Sequence, residues 1–230
     1  MKNNARVSKF QGFSRETLEY LQWAGVSNKA WYESHREEFK QSVLEPFMQL
    51  VEDLGPGMLE IDSQFEVTPK VDKTISRIYR DTRFSKNKSP YRSNMWLTFK
   101  VPVMDWKISP AYYFEINPES YSFGMGYYEA SRECMDLFRK KITGNPAEFQ
   151  KAIGFFTSKS AFTLGGEDYK RIEIPPIPEA LVPWYRKKSF YLSQVHPVDE
   201  ILFSSKLVSR LESEFIKLSP LYHYLQDLVR

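Results

Sequence analysis

Between Arg77 and Arg92 the chain reads RIYRDTRFSKNKSPYR. Six bases, Arg77, Arg80, Arg83, Lys86, Lys88 and Arg92, share that window with a single acid, Asp81. Cations packed this closely repel one another, so solvent, a buried carboxylate or an anionic ligand must offset the repulsion. Guanidinium forks match phosphate and carboxylate geometry. Ser85, Asn87, Ser89 and Pro90 mark a turn-rich loop that can also aim backbone N–H groups at an anion. The chemistry this supports is anion binding and, if a reaction follows, electrostatic stabilisation of a transferring or hydrolysing group. Arg77, Arg80 and Arg83 would bind the anion, with Lys86 and Lys88 supplying long-range attraction. Asp81 would orient the arginines by bidentate pairing or, as the weaker alternative, serve as a base. A structural reading stands beside this one: Asp81 ties down two arginines while the lysines are solvated, since ion-pair networks imitate sites. Phe84 and Tyr91 read as packing anchors.

A second basic cluster lies at Tyr185-Arg186-Lys187-Lys188-Ser189-Phe190. If it converges on the first, Lys188 joins the anion pocket with Ser189 as a further donor; otherwise it is a solvated turn. Gly124 and Gly126 could let backbone approach a ligand, but their spacing is no dinucleotide fingerprint, and a bulge or tight bend is favoured. His35, His196 and His223 never fall in metal-ligand spacing, and His35 reads as a hydrogen-bonded core residue. Cys134, the only cysteine, reads as buried and inert; it excludes an internal disulfide and a cysteine-rich metal site. No cofactor or metal is implied, no nucleophile elbow is visible, and the sequence does not decide whether the protein is an enzyme.

The charge distribution sharpens the opening feature. Residues 70–92 hold eight bases and two acids, a balance of +6; the whole chain carries +3, so the remainder sums to −3. Local basicity of this kind suits a focused anion site better than a surface coated for nucleic acid. Aromatics make up 16% of the 230 residues, which provides ample material for a core. The N-terminus lacks an apolar signal segment, and no apolar stretch approaches the roughly 20 residues of a membrane span. A cytoplasmic protein without membrane association is expected; the oligomeric state is not legible.

The elements that must position these residues follow from periodicity. Ser14 is placed to cap a helix over Arg15–Trp23 and Asn28 to cap a second. From Tyr32 to Leu54 apolar residues recur every three or four positions. Pro46 should kink or split that helix, and Gly55-Pro56-Gly57 should end it. Trp96–Val101, Ala111–Asn117 and Tyr121–Tyr127 read as antiparallel strands, with a hairpin turn at Asn117–Ser120. Val67–Ile78 adds a possible strand, and so does Phe190–Val195. Helices return over Ser131–Thr143, Pro146–Thr157 and from Leu207 to Val229, where Ser219-Pro220 could restart the helix. The expected class is α+β, a central antiparallel aromatic-rich sheet flanked by N-terminal and C-terminal helices. It forms one domain over 1–230, with residues 1–12 a loose arm.

Several of these stretches resemble a bacterial family of conserved hypothetical proteins, domain of unknown function 2461 (DUF 2461). The resemblance runs from about Phe10 to the C-terminus. Its most specific part is Arg77-Ile78-Tyr79-Arg80-Asp81-Thr82-Arg83-Phe84-Ser85-Lys86, continuing to Lys88-Ser89-Pro90-Tyr91. Also similar are Asn28 with Trp31-Tyr32 and Arg36, Tyr112-Tyr113-Phe114, and Lys187-Lys188-Ser189-Phe190. Where the family often has consecutive glycines, this chain has Gly124-Met125-Gly126. The resemblance implies a soluble intracellular α+β protein and no activity, substrate or cofactor.

Three functions compete on this reading: binding of a phosphorylated or carboxylated small molecule, docking of an acidic protein or RNA by a non-catalytic module, and a purely structural Arg–Asp network.

Overall fold

The computed structural model of the chain describes residues 8–83, 88–103 and 106–228. The class is α+β as expected. The helices are α1 (Arg15–Ala24), α2 (Lys29–Ser34), the single turn α3 (Arg36–Glu38), α4 (Glu45–Ile61), α5 (Arg132–Gly144), α6 (Pro146–Ala152), α7 (Val182–Tyr185) and α8 (Lys206–Gln226). The strands are β1 (Met95–Phe99), β2 (Ala111–Ile116), β3 (Ser120–Gly126), β4 (Thr163–Gly165) and β5 (Tyr191–Pro197), in one antiparallel sheet of order β1-β2-β3-β5-β4. Among the described residues no helix is long and apolar enough to cross a membrane. The chain divides into two compact units: Met1–Thr98 with Phe114–Ser122 and Val195–Glu212, and Phe99–Tyr113 with Phe123–Gln194 and Ser213–Arg230.

In the first unit Ser14 caps α1 as predicted. Its hydroxyl accepts from Thr17 N–H while the Thr17 hydroxyl accepts from Ser14 N–H, a reciprocal capping box. Asn28 caps α2 through Trp31 N–H. The predicted break at Pro46 takes a specific form. Residues Phe39–Leu44 wind as a π-type helix and Glu45 N–H reaches back to Lys40. Pro46 has no N–H to give the Ser42 carbonyl four residues earlier. The Thr17 hydroxyl donates to that carbonyl instead, at 2.5 Å, so the proline tethers α1 to the π turn. Gly55-Pro56-Gly57 does not end the helix; α4 runs on to Ile61, because Leu50, Leu54 and Met58 form one buried stripe across the three residues. Phe13 packs on Phe10, Phe47 and Phe114 at 5.0–5.7 Å between ring centres; burial of each ring contributes about 1.5–3 kcal/mol. Residues 8–12 are therefore no loose arm. Phe10 is fully buried and its N–H donates to Asp53, which also accepts from Ser8.

The expected strand over Val67–Ile78 is replaced by a tight turn. The Lys70 carbonyl accepts from Lys73, Thr74 and Ile75, and Asp72 sits at φ +69°, a backbone state that aspartate tolerates better than most residues. Only residues 74–76 run along β1, through Thr98 N–H to Thr74 and Ser76 N–H to Trp96.

In the second unit the core is aromatic. Phe138, Phe149, Trp184, Phe190 and Tyr224 meet at 5.0–5.4 Å. Thr163–Gly165 pairs antiparallel with β5. Helix α8 passes through Pro220 without restarting.

Candidate functional site

Three segments of the first unit enclose a concavity of about 550 Å³. The turn supplies Asp72, Lys73, Thr74, Ile75, Ser76 and Arg77; a short ladder supplies Tyr79, Arg80, Asp81 and Arg92; β1 supplies Trp96 and Thr98. The ladder forms because Arg80 N–H donates to Pro90 and Arg92 N–H to Ile78, with Tyr79 opposite Tyr91. Thr74 fixes the turn from inside: it is 1% exposed and its hydroxyl donates to the Thr68 carbonyl.

The six window bases part company here. Arg77 is paired with Asp72, and both side chains are more than half exposed. Arg83 binds Asp81 through Nε and its terminal nitrogen, the latter at 2.7 Å, again on an exposed surface. The Arg83 side chain, then its backbone N–H, holds the Asp81 carboxyl down at about 2. A carboxylate that acidic is a poor proton acceptor near neutral pH, which argues against Asp81 as a base. Lys88 donates to the Thr82 carbonyl. Lys86 lies outside the described residues. Arg80 and Arg92 line the concavity.

Arg92 is held from two sides. Its Nε donates to the Tyr79 carbonyl at 3.2 Å, and its guanidinium lies 4.9 Å over the Trp96 ring. Its terminal amino groups meet no hydrogen-bond acceptor among the described residues. A guanidinium fixed this way is pre-organised for an anion on its open N–H edge. Lys73 lies 3.4 Å from Glu66 at the rim.

The sequence of one protein family, described as "Conserved hypothetical protein (DUF2461)", matches residues 16–224. The chain belongs to the DUF2461 family. Comparison with curated proteins gives no match. The DUF2461 description names no activity.

The second basic cluster of this DUF2461 chain belongs to the second unit. Lys188 pairs with Glu167 at 2.9 Å, and each pulls the other toward its charged form. Lys187 pairs with Asp168 and donates to the Gly166 carbonyl; Ser189 accepts from Ala130 N–H. Lys188 and Ser189 thus serve the local turn. Gly124 and Gly126 face the chain itself: a Cβ at Gly124 would overlap the Leu192 carbonyl, and one at Gly126 the Tyr191 backbone. Close strand approach explains both glycines. His35 is half-buried rather than core, stacked on Trp31 at 4.4 Å. Cys134 is buried as expected.

Sequence reasoning missed Trp96 and the Arg92 stack. The signal was present in β1, where Met95, Leu97 and Phe99 are buried and alternate with half-exposed Trp96 and Thr98. A tryptophan on the polar face of an alternating strand, four residues after an arginine, is a visible clue. Arg139 was missed as well. It is a buried cation whose partners, the Tyr185 and Lys187 carbonyls, lie 46 and 48 residues away.

Proposed function

We propose that this concavity binds a small organic anion, phosphorylated or carboxylated, with Arg92 and Arg80 as the principal cations and Lys73 and Arg77 at the rim. The Arg92 fork carries the reading: it is immobilised by Tyr79 and Trp96, and its terminal N–H groups have no protein acceptor among the described residues. A fixed fork loses little conformational freedom on binding. Arg83 fits a structural role better, since Asp81 already occupies it.

The test is thermal protection by inorganic phosphate and by citrate at constant ionic strength. An anion at 100 times its Kd adds about 2.7 kcal/mol, roughly 5–10 °C in Tm at this chain length. Arg92→Ala should abolish the shift, while Arg83→Ala should keep it. The reading fails if neither anion protects the wild type, or if Arg92→Ala is protected equally. Docking of RNA would instead give an affinity falling steeply with salt, by a slope near −0.7 for each phosphate contact.

A further inference from the structure

The concavity is too large and too mixed in character for an inorganic anion alone. Its 550 Å³ lies in the range of sites that hold whole organic ligands, about 300–1,000 Å³. We infer that its ligand is a flat heteroaromatic group joined to a single phosphate, of nucleoside monophosphate size; this rests on the anion-binding reading above.

The charges argue for one phosphate rather than a polyphosphate. Lys73, Arg77, Arg80 and Arg92 face Asp72 and Asp81, a balance of +2. A phosphate monoester carries about −1.5 to −2 at neutral pH, which that balance matches. A chain of phosphates would bring more charge and would have to run past two carboxylates. Those carboxylates need hydrogen-bond donors instead, and sugar hydroxyls or exocyclic amino groups supply them. Arg77 and Arg83 leave some of their lone pairs available, since an ionised carboxylate accepts at about four positions.

The remaining wall is aromatic, made by Trp96 and Tyr79 beside Arg92. Trp96 is half-exposed, and the Arg92 guanidinium carbon lies over its ring, 4.9 Å from the ring centre. Tyr79 adds a phenol ring that is 49% exposed and is steadied by Tyr32 and Tyr91 at 5.5 and 5.2 Å. Arginine planes and aromatic rings both accept a stacked base. A ring therefore takes the surface made by Trp96, Arg92 and Tyr79, and the phosphate takes the N–H edge of Arg92 together with Arg80.

Calorimetric titration of the full chain with adenosine 5′-monophosphate, cytidine 5′-monophosphate, ribose 5-phosphate, adenosine and inorganic phosphate separates the possibilities. The nucleotides should bind about tenfold or more tighter than ribose 5-phosphate, the size of one base–aromatic stack. Trp96→Ala should bring that ratio near one, and Trp96→Phe, a milder change that guards against misfolding, should keep part of it. Equal affinity for nucleotides and ribose 5-phosphate overturns this inference and leaves the anion site standing. So does a ratio unchanged in both Trp96 variants. If no phosphate compound binds, this inference is overturned and the anion reading stands or falls on protection by citrate; if adenosine binds as well as its monophosphate, the anion reading itself is lost.

Discussion

Arg139 has 6% of its surface exposed and spends its guanidinium on the protein: Nε on the Tyr185 carbonyl, one terminal nitrogen on the Lys187 carbonyl at 2.6 Å, the other on Asp136 at 2.9 Å. Its face lies 4.9 Å from the Tyr169 ring. Arg92 is the contrasting case, anchored at one edge and open at the other. Residue type does not distinguish them; the supply of nearby carbonyls does. Replacing Arg139 by methionine strands two part-buried carbonyls, each costing about 1–3 kcal/mol, so urea unfolding should show a loss of roughly 2–6 kcal/mol. Asp81→Asn should leave the unfolding midpoint nearly unchanged, because exposed pairs contribute little. A large loss there would revive the buried Arg–Asp network. These two residues also show the limit of reading charge along a chain. Asp81 and Arg83 are two positions apart and their pairing was legible. The i,i+3 pairing of Arg139 with Asp136 is local, but the two carbonyls that bury its guanidinium come from a distant loop, so that role could not be seen from local spacing.

At the scale of elements, helix starts were the most legible features because they depend on one side chain and the N–H groups beside it. Ser14 and Asn28 act where the sequence places them. Helix ends and bends were less legible because packing decides them. Pro56 fails to stop α4 since Met58 beyond it is buried, and Pro46 is absorbed by a π turn whose spare carbonyl Thr17 fills. Thr17 thus serves two elements at once. Thr17→Val keeps its shape but removes the reciprocal cap and strands the Ser42 carbonyl, so it should cost about 2–3 kcal/mol against about 1 for Ser14→Ala. Denaturation of the two variants side by side checks this; equal losses would show that the Ser42 contact contributes nothing. Strand β3 has a comparable dependence on β5. Gly124→Ala drives a methyl into the Leu192 carbonyl, a backbone atom that cannot swing aside, and the variant should fail to accumulate as folded protein.

At the scale of the whole molecule the tyrosines set the response to alkali. Seven of the 14, namely Tyr20, Tyr32, Tyr91, Tyr112, Tyr121, Tyr127 and Tyr224, are pushed above the ordinary phenol value of 10.0, in each case first by burial. Tyr32 rises to about 12, with Tyr79 adding to the effect of burial; Tyr121 rises to about 12, burial again leading and the Asp199 carboxylate adding to it, while Arg210 opposes. The sign follows from linkage. Below pH 10 both folded and unfolded phenols are neutral, so the stabilisation is fully present. Above it the unfolded chain releases protons that the folded chain retains, and stability falls as the pH rises toward 12. Phenolate absorbance of the folded chain should therefore show an early wave from exposed rings and a late wave from the seven buried ones, the latter coincident with loss of helical circular dichroism. In strong urea a single wave near the ordinary phenol value should replace both. Tyr121→Phe removes one raised phenol, and with it the hydrogen bond to Asp199 at 3.1 Å. Its unfolding curve should thus start lower at neutral pH and converge on that of the wild type as the pH passes 10. A single wave in the folded chain, or curves that stay parallel to pH 12, would mean that these rings are hydrated and that the aromatic core does not govern alkaline stability.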